Sequence, residues 1–182
     1  IGTLALTTDV EGNRSTAIGH GALESQSMGN NVSFNTAVGF GSGGAISSGQ
    51  SNTVIGYNSG TFISTGAANT FVGAAAGTGI TGTRITGSNN TAIGQAAGED
   101  LRAAANNNTF VGKESGTSAT TSGLNTFLGS GAGLLTTSSG NNTMVGGEAG
   151  PAVLGTNNTG VGVGCLTLCT GSLNTTLGVS SG

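Results

Sequence analysis

The sequence predicts an all-β protein, a parallel β-solenoid of about ten coils of 16–21 residues. Three observations carry this. First, the phrase Asn-Thr-x-(Val/Ile/Leu)-Gly recurs ten times, its glycine falling at 19, 39, 56, 73, 94, 112, 129, 146, 162 and 178. The steps are 20, 17, 17, 21, 18, 17, 17, 16 and 16 residues. Repetition on this scale marks stacked units, each burying its apolar face against the next. Second, glycine supplies 37 of 182 residues and proline one, so helix propensity is poor throughout. Glycine does not recur at every third position, which excludes collagen. Third, only 6% of residues are charged and the net charge is −3. The surface must then be Ser, Thr, Asn and Gly, and the high charge of a disordered chain is missing.

Each coil can be justified position by position. Side chains in a strand alternate between faces, so Thr36 and Val38 share one face and Ala37 takes the other. The last strand position is apolar in all ten copies: Ile18, Val38, Ile55, Val72, Ile93, Val111, Leu128, Val145, Val161 and Leu177. This column, with the threonines, is expected to point inward. The variable residue between them is expected to face outward or toward another subunit. Asn precedes Thr in nine copies, at Asn35, Asn52, Asn69, Asn90, Asn108, Asn125, Asn142, Asn158 and Asn174, and Ser15 stands there in the first. Stacked identical amides can bond to one another or to corner backbone groups, so these residues read as a structural ladder.

After the strand comes x-x-(Ala/Ser)-Gly, as in Ala76-Gly77 and Ser115-Gly116, which suits a tight corner. A less regular apolar position follows (Ile46, Ile63, Ile80, Leu101, Leu135, Val153) and predicts a second, shorter strand. A glycine then often precedes the next Asn, at 49, 66, 87, 123 and 140. Ten coils at ~4.8 Å would make a rod of roughly 48 Å. The chain reads as one solenoid domain over 1–182. It starts at Ile1 without a signal-peptide pattern and stops within a copy of the phrase. The expectation is a section of a longer array or fibre.

Residues able to do chemistry are few. His20 is the sole histidine, so a histidine-based metal site is not expected. Glu99-Asp100 beside Arg102 reads as a solvated loop. Two aspartates, Asp9 and Asp100, cannot furnish a calcium-binding repeat, and no Gly-Lys-(Ser/Thr) forms a phosphate loop. A basic face for nucleic acid and a run of 18 apolar residues for a membrane span are both missing. No cofactor is expected. Cys165 and Cys169 read either as two small buried thiols or as a disulfide closed by a turn at 166–168. Asn-x-(Ser/Thr) occurs at Asn13, Asn31, Asn89, Asn107, Asn141, Asn157 and Asn174. These are candidate N-glycosylation sites, although Asn89, Asn107, Asn141 and Asn157 also suit plain corner chemistry. Ser/Thr-rich corners at 117–122 and 136–139 could carry O-linked sugars.

The phrase resembles the head repeats of trimeric autotransporter adhesins, whose short motif reads Ser-x-Ala-Ile-Gly before a small-residue turn. Ser15-Thr16-Ala17-Ile18-Gly19 matches it, and Asn90-Thr91-Ala92-Ile93-Gly94 nearly so. Similar Asn-Thr-Ala-(Val/Ile)-Gly arrays occur in phage tail-fibre and other surface fibre proteins. The resemblance covers nearly the whole chain. It implies a left-handed parallel β-roll, three chains side by side, and adhesion to surfaces or matrix. The coil here is longer than in the adhesin heads.

Together these readings favour a structural subunit of an extracellular fibre or adhesin stalk, on a cell or virion surface. Its partner would be itself, as a side-by-side homotrimer, a head-to-tail filament, or both. A cell-surface or matrix ligand is compatible with either. The alternative is an ice-binding solenoid using the threonine ladder, which the expected inward threonines disfavour. A carbohydrate-active enzyme would need a carboxylate and basic cluster, and the few charges are scattered. No enzymatic activity is expected.

Overall fold

The computed structural model describes residues 1–9, 14–27 and 32–182. The chain winds as a β-solenoid. One parallel sheet of ten strands runs its length in the order β1 (Thr16–Ile18), β2 (Thr36–Val38), β3 (Thr53–Ile55), β4 (Thr70–Val72), β5 (Thr91–Ile93), β6 (Thr109–Val111), β7 (Thr126–Leu128), β8 (Thr143–Val145), β10 (Thr159–Val161) and β12 (Thr175–Leu177). The register never slips: threonine pairs with threonine, and the terminal aliphatic pairs with the next aliphatic. In place of the second strand predicted in every coil, most coils run through turns: the Ile46, Ile63 and Leu101 N–H groups each donate to the carbonyl three residues before, at 3.0–3.1 Å. Among the described residues, only β9 (Ala152–Val153) and β11 (Leu168–Cys169) pair as strands there. Isolated bridges join Ile63 to Ile85 and Ile85 to Ala103.

The inward face is the opposite of the expected one. The middle residue of each strand fills the lumen: Ala37, Val54, Phe71, Ala92, Phe110, Phe127 and Met144 are fully buried. The aliphatic column faces out, with Ile18 43%, Ile93 40% and Leu128 47% exposed. The threonines flank it on the same outer face, exposed or half-buried. The reason is volume. A coil this small cannot bury a β-branched side chain and its strand neighbour together, and the enclosed position must vary in size to match what faces it.

That matching is visible along the chain. The fourth position after the strand glycine is glycine in most coils but Leu23 and Leu166 in two. Those two coils hold small residues in the lumen, Ala17 and Gly160. Where the lumen holds Phe71, the partner is Gly77, and a Cβ there would lie 2.4 Å from Phe71 Cδ2. Leu23 and Gly77 share the same left-handed backbone, φ 51° and 52°, so leucine is conformationally admissible at 77. Gly77→Leu is therefore expected to destabilise by about 2–3 kcal/mol through overpacking. Phe71→Ala alone should cost about 3–5 kcal/mol. The double variant should recover at least ~2 kcal/mol relative to the sum, measured by urea unfolding. Additive losses would refute the compensation.

Two other expectations on the second face also shift. Ile46, Ile63, Leu101 and Val153 are buried as expected. Ile80 sits instead in a small outward turn bridged to Thr83, and Ile85 takes the inner place. Leu135 is 55% exposed while Thr136 is buried. Between Gly73 and Gly94 the step is the longest, and the extra residues are spent on that turn. The structure also adds an eleventh rung. Ile1-Gly2 stands 17 residues before Ile18-Gly19, and the Gly19 N–H donates to the Ile1 carbonyl at 2.8 Å.

Candidate functional site

The asparagine ladder is internal. Asn35, Asn52, Asn69, Asn90, Asn108, Asn125, Asn142 and Asn158 are at most 1% exposed. From Asn52 onward, each backbone N–H donates to the Oδ1 of the asparagine one coil before, at 2.8–3.1 Å. Each Nδ2 from Asn35 to Asn158 donates across its own coil to a carbonyl 13–18 residues on, at 2.8–3.0 Å, the 18-residue span being that of Asn69 in the longest coil. One amide thus ties coil to coil and closes its own coil. The ladder starts on a different set: Asn35 donates to Gln26 Oε1 at 2.9 Å, and its N–H to Ser15 Oγ at 3.2 Å.

The outer face of the ten-stranded sheet is the candidate functional surface. It carries two parallel columns, threonine and aliphatic, ten rungs each, with no charged residue in either. Nine intervals of ~4.8 Å make it roughly 43 Å long, and the columns stand ~7 Å apart. Two edge columns border it. One is the residue before the ladder Asn, where Asn89, Asn107, Asn141 and Asn157 all have φ between 58° and 60°. Asparagine tolerates this left-handed backbone, and that explains the Asn-Asn-Thr triplets without any attached sugar. All four are exposed, so they also remain open to modification. Asn174 is different: its Nδ2 donates to Asn158 Oδ1 at 2.9 Å, so its amide is committed to the ladder. Asn13 and Asn31 lie outside the described residues.

The other edge column follows the strand glycine. His20, Phe40 and Tyr57 stack there on successive coils, with centroids 5.0 and 5.6 Å apart. Further along it, Lys113 pairs with Glu114 at 3.2 Å. Burial, then the charges of Asp100 and Glu114, raise the Glu99 carboxyl above the ordinary glutamate range. No three His, Cys, Asp or Glu side chains converge as a metal site among the described residues. Cys165 and Cys169 are free thiols, both buried in the lumen, so the disulfide alternative is not what the structure holds. Cys169 Sγ instead accepts a bond from Asn174 Nδ2 at 3.4 Å. A cavity of ≈ 330 Å³ opens beside it at the last coil, between Leu166, Leu168 and Thr176. No helix among the described residues is long and apolar enough to cross a membrane.

Scans against protein-family models, curated proteins and solved structures find no match to this chain. The functional reading therefore rests on the geometry.

Proposed function

We propose that the chain is a structural fibre section that associates side by side through its flat Thr/(Val/Ile/Leu) face. The observation that carries this is the outward aliphatic column. Its positions are β-branched or leucine on every rung, yet none is buried: Ile18, Ile55, Ile93, Leu128, Val161 and Leu177 are exposed, and Val38, Val72, Val111 and Val145 are half-buried. Counting both edge columns, the face spans on the order of 600 Å², at the upper end of what monomers expose and close to one side of a standard interface. Association of like faces would remove the aliphatic column from water, and the Thr and aliphatic columns carry no charge to desolvate; the charges lie in the edge columns, at Arg14 and Lys113. Coils stacked in one unbroken register would also accept a further coil at either end, so lateral and end-to-end growth are compatible. This reading fits a fibre or stalk outside the cell or on a virion.

The test is the mass of the purified chain by light scattering, with electron microscopy of the same sample. A discrete multiple of 17.2 kDa or uniform filaments are expected. Val111→Lys with Leu128→Lys, on adjacent rungs of the outer column, should yield a folded monomer with unchanged circular dichroism. Wild-type protein that stays monomeric at high concentration would overturn lateral assembly.

One observation favours a second reading. The threonines point outward, which removes the objection to an ice-binding face: a flat, uncharged ladder of hydroxyls and methyls at regular spacing. Thermal hysteresis by the wild-type monomer, lost in Thr109→Tyr with Thr126→Tyr, would move this reading ahead of the fibre. A wild-type chain without hysteresis would end it.

A further inference from the structure

We propose that the rung beyond Tyr57 is a binding notch for a neutral pyranose sugar. The notch lies on the corner past the flat face and rests on the fold, independent of the fibre reading. The corner column runs His20, Phe40, Tyr57, Ala74, Gln95. Its first three rings stack along the rod with interplanar angles of 9° and 19°, so each ring lies nearly flat on the one before. The coil spacing matches aromatic stacking distances, and the ladder continues only as long as the sequence supplies rings.

At Ala74 it stops. The Ala75 N–H donates to the Tyr57 carbonyl and the Ala96 N–H to the Ala74 carbonyl, both at 2.9 Å. Ala74 therefore lies one rung beyond Tyr57, and Gln95 one rung beyond Ala74. Tyr57 is 60% exposed, and the next rung offers a single methyl where the previous ones offered rings. The exposed Tyr57 ring thus has only the Ala74 methyl on the next rung, and the exposed Gln95 stands two rungs, or ~9.6 Å, from Tyr57 along the column. A ring seated at ~4 Å from Tyr57 would bring its far edge within reach of Gln95.

The chemistry of the walls selects the ligand. No charged residue occurs in 53–58, 70–75 or 91–96, the three rungs that form the notch. An ionic ligand would find no counter-charge in these rungs; the first charge beyond them, Lys113 one rung past Gln95, is paired with Glu114 at 3.2 Å, and the chain's net charge of −3 disfavours phosphate-bearing ligands. A ligand with one apolar ring face and hydroxyls on its rim satisfies both walls: its C–H face packs on Tyr57, and the Gln95 amide donates to and accepts from its hydroxyls. That description is a pyranose.

The chain has one tyrosine and no tryptophan, so tyrosine emission reports on Tyr57 alone. The full chain is titrated with methyl β-D-glucopyranoside and methyl β-D-galactopyranoside, following tyrosine emission and saturation-transfer NMR. Expected is a saturable change with a Kd on the order of millimolar, as suits one stacked ring. Ala74→Phe, which extends the ladder into the gap, should weaken binding at least about tenfold. Gln95→Ala should weaken it several-fold with Tyr57 intact. Both positions are exposed, and unchanged circular dichroism confirms folding. The proposal is overturned if neither glycoside perturbs the emission by about 50 mM. It is equally overturned if Ala74→Phe leaves binding unchanged, or if saturation transfer survives in Tyr57→Ala.

Discussion

Asn108→Ala is expected to destabilise the chain by about 3–6 kcal/mol, more than any other single polar substitution in its coil. The amide of Asn108 holds three neighbours. Its Nδ2 donates to Asn90 Oδ1 at 3.0 Å and to the Ser122 carbonyl at 2.9 Å. Its Oδ1 accepts the Asn125 N–H at 3.1 Å. Alanine leaves the Asn125 N–H and the Ser122 carbonyl without partners in a lumen closed to solvent. Each such orphan costs about 1–3 kcal/mol, and the cavity adds to it. Asn108→Asp separates the roles. It keeps an acceptor for Asn125 but loses both donors and buries a carboxylate against two oxygens. Burial and those oxygens raise the pKa of the introduced carboxyl in the folded state. Stability is then greatest at low pH, where the protonated acid can donate one bond, and falls as pH rises through that raised pKa. Asn107→Ala is the control: the neighbour is exposed, and Ala68 already occupies the equivalent left-handed position with φ 55°. Its cost should stay near 1 kcal/mol or below. Urea unfolding of the three variants at two pH values decides the matter. Equal losses at 107 and 108 would mean the ladder is not what holds the coils.

The solenoid itself was legible because stacking forces one residue type at one phase. Only glycine fits where adjacent corners touch, and only an amide both closes a coil and reaches the next one, so these positions could not drift. The direction of the faces was not legible, and the reason is specific. Uniformity marks a core only where every coil encloses the same volume, and here the uniform aliphatic column lies outside. Inside, Ala92 can sit beside Phe110 because the compensating volume lies elsewhere in each coil. The sequence did carry the signal: Phe71, Phe110, Phe127 and Met144 all fall in the variable column, and Leu23 and Leu166 appear where that column is small. The Asn-Asn-Thr triplets were ambiguous for a related reason. A left-handed corner and a glycan acceptor favour the same residue. The aromatic notch was hidden as well, since Tyr57, Ala74 and Gln95 are spaced by 17 and 21 residues and meet only once the register is known.

Gly112→Ala should be the most damaging change of all, lowering stability by more than about 4 kcal/mol and the melting temperature by at least ~10 °C. Two costs fall together. The backbone at Gly112 has φ +133°, a region that side chains with a Cβ rarely enter. A Cβ there would also stand 2.5 Å from the carbonyl carbon and oxygen of Gly129 on the next coil. Ordinary contact begins near 3.4 Å, so the coils would have to part by 0.9 Å, the difference of the two distances. The Gly129 N–H donates to the Val111 carbonyl at 2.8 Å, and that displacement would stretch it beyond hydrogen-bonding range. The neighbouring coils cannot yield, because the same close approach repeats on both sides at Gly94 and Gly129. Gly147→Ala is the matched control: nothing lies within 4 Å of its Cβ position and its φ is ordinary. That variant should lie within about 0.5 kcal/mol of wild type, or gain slightly through a stiffer unfolded chain. Because each coil touches only its neighbours, hydrogen exchange should show the loss of protection in Gly112→Ala centred on β5, β6 and β7, weakening toward both ends. Uniform loss along the chain would show instead that the rod opens as one cooperative unit, and a near-neutral Gly112→Ala would overturn the packing argument altogether.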